Sequence, residues 1–131
     1  MKRLLLGLML LVTAGAAIAE WTSVGESVSS IHYVDRATIR RNGNLVKMWD
    51  LMDFKTVQTV QTVTGESFLS IKSQNEYDCK EERKRILAFT WFSGQMGSEK
   101  FVYSNSDPGR WEPIQPGSIG EIQWNIACGK K

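Results

Sequence analysis

The C-terminal stretch Gly117-Ser-Ile-Gly-Glu-Ile-Gln-Trp-Asn-Ile-Ala-Cys128 decides the fold. Ser118 followed three positions later by Glu121 is a capping-box pattern, in which the serine hydroxyl accepts a hydrogen bond from the third helical amide. The isoleucines of the stretch repeat at helical spacing, while Trp124 and Cys128 form a second apolar stripe on the roughly opposite face. We therefore expect a short helix that packs on a sheet, because both stripes are too apolar to face water.

The other end of the chain predicts where the protein is sent. Residues 1–19 form a secretory signal-peptide pattern: two basic residues, an apolar run too short to span a bilayer, and small residues at the close. Cleavage before Glu20 leaves one domain over residues 20–131, exported to the periplasm, the medium or the cell surface. No cysteine follows the predicted cleavage site and no second long apolar run exists, so we expect no lipid anchor and no membrane span.

The charge of the predicted mature domain argues against nucleic-acid binding. The chain carries 16 Lys and Arg against 14 Asp and Glu, and Lys2 and Arg3 belong to the leader, so the domain has 16 − 2 = 14 basic and 14 acidic residues. A neutral domain gains little from phosphate backbones. We therefore expect no nucleic-acid partner.

The two cysteines of the chain offer a single disulfide, Cys79–Cys128. An oxidising compartment favours this bond over the alternative of two free buried thiols. The bond would close a loop of 128 − 79 = 49 residue steps. Loop-closure entropy then stabilises the fold by about 4 kcal/mol. We predict that this bond fastens the last turn of the helix.

Between the leader and the helix, β-type stretches follow one another without an intervening helix. Asn42-Gly43 between two such stretches predicts a hairpin. In the later run from Arg83 to Ser93, strict alternation predicts Arg85, Phe89 and Trp91 on one face. This order predicts an α+β fold, with a six- to seven-stranded antiparallel sheet and the C-terminal helix packed on one face. The other face is expected to stay partly exposed, which invites a homodimer or another partner.

No residue pattern in the chain predicts catalysis. The single histidine, His32, lies in a predicted strand, and a lone histidine is more often packed or surface-exposed than catalytic. Asp50 and Asp53 lie three apart on a strand, so their side chains point to opposite faces and cannot form an acid/base pair. No serine lies in a G-x-S-x-G frame, and the ligands of a zinc site are missing. We expect no enzyme, no cofactor and no metal; a hydrolase that uses His32 is the alternative.

The most polar cluster of the sequence follows Cys79 and predicts a partner-binding patch. Its functional interpretation is an anion-binding or matrix-binding surface, to which a tryptophan in the proline-rich loop before the helix adds an aromatic anchor. The alternative is an ordinary solvated hairpin, which the interleaved Glu81 and Glu82 favour, with the tryptophan packed beneath its loop. The residues of this predicted patch are Lys80, Arg83, Lys84, Arg85 and Trp111.

A series of short motifs runs through the mature domain in a fixed order. They are Tyr33-Val-Asp35, Lys47 through Phe54, Ser70-Ile-Lys72, Tyr77-Asp-Cys79, Ser93 through Gly97, Trp111-Glu-Pro-Ile114, Pro116-Gly117-Ser118 and Cys128. In order and spacing the series resembles the surface-adhesin protein E family of Gram-negative bacteria. The resemblance implies a six-stranded antiparallel sheet with a disulfide-tied C-terminal helix on its concave face, and structural roles for Trp49, Tyr77 and Trp111. It further implies dimerisation through the sheet and binding of host matrix and serum proteins.

The sequence thus leads to one main hypothesis and one alternative. The main hypothesis is an exported, non-enzymatic, adhesin E-like protein that engages host matrix or other macromolecules. The alternative is a soluble periplasmic accessory or inhibitor protein, for example one that blocks a wall-degrading enzyme. In both cases the expected partner is a protein.

Overall fold

The computed structural model describes residues 19–60 and 65–130, so the predicted signal peptide lies, except for Ala19, outside the described residues. None of the described helices has the length and apolar character needed to cross a membrane. The elements are β1 (Thr22–Glu26), β2 (Ser30–Asn42), β3 (Leu45–Thr59), β4 (Ser67–Asp78), β5 (Arg83–Phe92), a 3₁₀ turn (Gln95–Gly97), β6 (Phe101–Asn105), β7 (Glu112–Pro113) and α1 (Ile119–Cys128).

The strands form one antiparallel sheet in which sequence neighbours are also neighbours in space. The order is β1-β2-β3-β4-β5-β6, and β7 pairs with the start of β5 along the same edge as β6. Short connections suffice between consecutive antiparallel strands, which explains the absence of crossover helices among the described elements. The predicted α+β fold, with a seven-stranded antiparallel sheet and one C-terminal helix, is confirmed.

The β2–β3 hairpin forms where the Asn-Gly pair predicts it, but its turn lies one residue further along. Asn42 pairs with Leu45, so Gly43 and Asn44 are the central residues. Gly43 has a φ of 62°, whereas Asn44 does not have a positive φ. A positive φ at the first central position alone is the pattern of a type II′ turn, which follows the twist of the strands.

Helix α1 begins at the predicted Ser118 cap and ends at a glycine. Ser118 is the N-cap, and its Oγ accepts a hydrogen bond from the Glu121 amide at 3.1 Å. Gly129 ends the helix with a left-handed φ of 66°, which glycine adopts without strain. Both ends of the helix therefore carry residues suited to their backbone geometry.

One stripe of α1, and not both, faces the sheet. Trp124, Ala127 and Cys128 are buried, whereas Ile122 is 43% exposed. The expectation that both apolar stripes are buried is therefore wrong at Ile122. The disulfide lies on the tryptophan stripe, and a helix that rests on one sheet has only one covered face.

The core lies between α1 and the sheet, and the helix is fastened at one strand turn. Val34, Met48 and Tyr77 are fully buried in this core, and Trp124, which packs with them, is 8% exposed. The predicted disulfide joins Cys79 to Cys128, with Cα atoms 5.6 Å apart, and is thereby confirmed. Trp124 also donates a hydrogen bond from Nε1 to the Asp78 carbonyl at 2.9 Å. The last turns of α1 therefore hold the β4–β5 turn both covalently and by a buried hydrogen bond.

The 3₁₀ turn covers part of the opposite face of the sheet. The Met96 amide donates to Asp53 Oδ1 at 2.8 Å, and the Gly97 amide donates to Ser70 Oγ at 2.9 Å. Further along this face Trp49 is half-buried, in contact with solvent rather than enclosed in the core. The second face is thus only partly covered by the described residues.

Close packing between β1 and α1 makes Gly25 a sensitive position. A Cβ at Gly25 would lie 2.8 Å from Ile119 Cγ1 and 3.1 Å from its Cδ1. We expect Gly25→Ala to lower the free energy of unfolding by about 1–2 kcal/mol, because the start of α1 must move away from the strand. Urea unfolding measures the change, with Ser23→Ala on the exposed side of β1 as the matched control. A stability equal to that of the control would contradict the contact.

Candidate functional site

The structure divides the predicted partner-binding patch between the two faces of the sheet. Arg83 and Arg85 face away from α1, where the Cζ of each lies 4.6 Å from the ring centroid of Trp111. Lys84 pairs with the buried Tyr77 and therefore faces α1, since successive strand residues point to opposite faces. Lys80 is exposed in the β4–β5 turn, which leads into the strand that carries both arginines. We call Arg83, Arg85 and Trp111 the arginine–tryptophan patch.

Buried carboxylates hold both arginines of this patch. Arg83 Nε lies 3.1 Å from Asp78 Oδ2, and Arg85 Nη2 lies 2.8 Å from Glu76 Oε1. The carboxylate side chains are each 8% exposed, whereas those of Arg83 and Arg85 are 42% and 30% exposed. The patch thus presents two guanidinium groups at the surface, and the buried carboxylates of Asp78 and Glu76 balance their charges. This balance favours a planar protein contact over the attraction of a polyanion.

Asp78 also fixes the turn that leads into the patch. Its Oδ1 accepts hydrogen bonds from the Lys80 amide at 3.1 Å and the Glu81 amide at 3.0 Å. Burial by itself raises the pKa of Asp78, but these bonds and the contact with Arg83 outweigh it and hold the pKa below its ordinary value. A carboxyl whose pKa is lowered by folding stabilises the folded state at pH values above its ordinary pKa. It loses that contribution as the pH falls through its pKa in the folded protein. The turn is therefore most firmly held at neutral pH.

A cavity of about 430 Å³ lies on the other face of the sheet, beside the first turns of α1. Its floor consists of side chains from four strands, which meet in two rows across the sheet. The rows are Asp50-Ser73-Phe89 and His32-Met52-Ile71-Trp91.

A register shift in β5 brings the aromatic residues to this cavity. Ile86 pairs with Asn75 and Ala88 pairs with Gln74, so β5 has one extra residue at this point. The extra residue moves Phe89 and Trp91 to the α1 face, opposite Arg85. The predicted placement of these aromatic residues on the same face as Arg85 is therefore wrong.

Asp50 lines the cavity and has an unusual pKa. One of its carboxylate oxygens accepts a hydrogen bond from Asn75 Nδ2. Burial raises the pKa of Asp50 to about 7, against the opposing effects of the Lys84 charge and the Asn75 hydrogen bond. Near neutral pH, both protonation states of Asp50 are therefore populated. The ionised carboxylate only accepts hydrogen bonds, whereas the protonated carboxyl also donates one.

His32 lines the same cavity and is held by a serine. Its Nε2 lies 3.1 Å from Ser30 Oγ. Burial, followed by the charge of Lys84, lowers the pKa of His32, so the ring is neutral at physiological pH. Within residues 19–60 and 65–130, no carboxylate hydrogen-bonds its other ring nitrogen, so the Ser30–His32 contact lacks the group that orients a catalytic histidine. Across the same ranges, no three His, Cys, Asp or Glu side chains gather as metal ligands.

Comparison with known proteins gives a family and a set of structures with the same fold. The family model for surface-adhesin protein E matches residues 21–129. A search of curated protein sequences finds no match.

Three solved structures show the likeness in fold. Crystal form II of Haemophilus influenzae protein E matches with a TM-score of 0.62 at 10% identity, covering 86% of this chain and 97% of that chain. A second structure of Haemophilus influenzae protein E has a TM-score of 0.60 at 10% identity, with coverage of 86% and 92%. Protein E from non-typeable Haemophilus influenzae has a TM-score of 0.60 at 10% identity, with coverage of 86% and 79%. At this identity the likeness concerns the fold.

Proposed function

This chain belongs to the surface-adhesin protein E family, and from that membership we propose that it is an exported, non-enzymatic adhesin that binds host macromolecules, with host matrix proteins as the expected class. Family membership supports an adhesin-like protein of the cell surface. The predicted signal peptide over residues 1–19 supports export of a domain that spans residues 20–131. Dimerisation through the sheet stays a prediction.

The observation that carries the proposal is the arginine–tryptophan patch. Trp111 is contacted by two guanidinium groups, and tryptophan and arginine are the residue types that most often dominate binding energy at protein interfaces. The buried partners Glu76 and Asp78 restrict both arginines before any partner arrives, which lowers the entropy lost on binding. We propose that this patch and the adjacent Lys80 contact the partner, whereas Lys84 belongs to the cavity on the other face.

Replacement of Trp111 by alanine tests the patch. We expect the affinity for an immobilised basement-membrane extract to fall about tenfold or more, because the variant removes an aromatic anchor and the ring that both guanidinium groups contact. Surface plasmon resonance with residues 20–131 measures the change. Trp21→Ala is the matched control, because Trp21 is a second partly exposed tryptophan that contacts a cation, Lys72, on the same face. Equal affinity of the two variants, or no binding by the unaltered domain, would contradict the proposal.

Labelling of intact cells tests the location. An adhesin must be reached by a membrane-impermeant label on whole cells. Recovery in the periplasmic fraction alone, without surface labelling, would exclude the adhesin and favour the periplasmic accessory or inhibitor protein.

A further inference from the structure

We propose that the cavity between the sheet and the first turns of α1 binds a small saccharide of one or two sugar rings. The cavity lies on the face of the sheet opposite the guanidinium groups of the arginine–tryptophan patch, and Arg85 is the one residue of that patch that also lines it. The inference does not rest on Arg85 or on the partner of the patch. The volume of about 430 Å³ lies within the range of about 300–1,000 Å³ that is usual for small-molecule sites.

Buried polar side chains converge on the cavity with few partners of their own. Gln123 of α1 is 5% exposed, and Ser73 of β4 is 8% exposed. Both line the cavity, and neither side chain hydrogen-bonds another residue in the part of the chain that the structure describes. Among the described residues, Tyr77 Oη is the enclosed side-chain polar atom without a partner, so the polar atoms of Gln123 and Ser73 keep access to the open volume of the cavity. They are therefore available to a ligand that supplies donors and acceptors.

Asp50 and Asn75 add further uncommitted capacity beside them. Asn75 donates one amide hydrogen to one oxygen of Asp50. The second amide hydrogen and the carbonyl oxygen of Asn75 remain available for hydrogen bonds, as does the other carboxyl oxygen of Asp50. The cavity wall thus offers a carboxyl, two amides and a hydroxyl. A set that mixes donors and acceptors matches sugar hydroxyls, because each hydroxyl both donates and accepts.

Another part of the wall is aromatic, and one of its rings is fixed in orientation by stacking. Phe89 and Trp91 line the cavity, and the Trp91 ring stacks on Phe68 with centroids 4.6 Å apart and planes 18° apart. A sugar ring has apolar C–H faces and a polar hydroxyl edge, so it matches a cavity that is aromatic on one part of its wall and polar on another. A purely apolar ligand would leave Gln123 and Ser73 without partners.

Titration of the isotope-labelled domain, followed by NMR, tests the inference. The probes are D-galactose, N-acetyl-D-glucosamine and N-acetylneuraminic acid, with L-phenylalanine as a small ligand that has an apolar ring and no sugar hydroxyls. We expect at least one sugar to shift the Gln123 side-chain amide and the Trp91 indole signals saturably below about 20 mM, in the weak range usual for a single small ligand. L-Phenylalanine is expected to shift neither signal.

Two variants and one control define the outcome. Gln123→Leu removes the amide at similar volume and is expected to weaken sugar binding about tenfold or more. Asp50→Asn keeps the shape of the carboxyl and is expected to weaken sugar binding less than Gln123→Leu does. Lys72→Met, on the other face beside Trp49, is expected to leave binding unchanged. No shift with any of the three sugars, undiminished binding by Gln123→Leu, or a response to L-phenylalanine alone would overturn the inference.

Discussion

Replacement of Cys79 and Cys128 together by alanine is expected to lower the free energy of unfolding by about 4 kcal/mol. The bond closes a loop of 49 residues, and its loss restores the entropy of that loop to the unfolded chain. Trp124 still donates to the Asp78 carbonyl in the variant, so α1 is expected to stay docked at low temperature and to detach on mild heating. Urea unfolding measured by far-ultraviolet circular dichroism gives the difference.

Reduction of the unaltered protein provides the control for this prediction. A phosphine reductant should lower the stability of the unaltered protein to that of the double variant and should leave the double variant unchanged. If the unfolding midpoint of the unaltered protein were the same with and without reductant, the disulfide would contribute nothing to stability.

Replacement of Asp50 by asparagine is expected to stabilise the protein, and more so at high pH. Asp50 has a pKa raised to about 7 in the folded protein, against about 3.9 in an unfolded chain. Between these values the folded state keeps a proton that the unfolded state has released, so stability falls as the pH rises from about 4 to 7 and then stays level. At pH 8 the gain from Asp50→Asn is expected to be about 2–4 kcal/mol, after allowance for solvent at the cavity mouth. At pH 4 little gain remains.

Thermal unfolding at pH 4 and pH 8 measures this difference. Asp107→Asn, in an exposed loop, is the matched control and should change stability little at either pH. A gain from Asp50→Asn that is equal at both pH values would mean that burial does not penalise the Asp50 charge. The other charged or titratable residues that line the cavity are His32, Lys84, Arg85, Arg110 and Glu112, of which Arg85 directs its guanidinium group to Glu76 and Trp111 on the opposite face.

The parts of the fold that local rules determine could be predicted from the sequence. Three such features are present: the Ser118 cap, the glycine of the β2–β3 turn and the single cysteine pair. The first two depend on a few adjacent residues, and the third depends on export. The orientation of α1 could not be predicted from its own stripes. Cys128 bonds to Cys79, and Trp124 donates a hydrogen bond to the Asp78 carbonyl, at a strand turn far from α1 in the sequence. These two contacts decide which stripe of α1 is buried.

The candidate sites depend on strand register, which a single sequence shows poorly. Alternation along β5 already implies that Lys84 faces away from Arg83 and Arg85, so this division could have been predicted. The extra residue of β5 carries no glycine or proline to mark it, yet it moves Trp91 to the cavity. Gln123 was missed because a glutamine on a surface helix is ordinary until the opposing strands are known.

The sulfur bridge also determines how the domain would respond to mechanical load, which attached cells impose on surface proteins. Tension applied beyond α1 reaches the sheet at Cys79, because the link from Cys128 bypasses every noncovalent contact of the helix. The load then falls on β4 and β5 in the middle of the sheet, where strands are paired on both sides, instead of peeling the terminal helix first. Tension at the amino end would instead unzip β1, which has a neighbour on one side only. The two ends of the domain thus differ in mechanical strength, and a reducing environment would remove that difference.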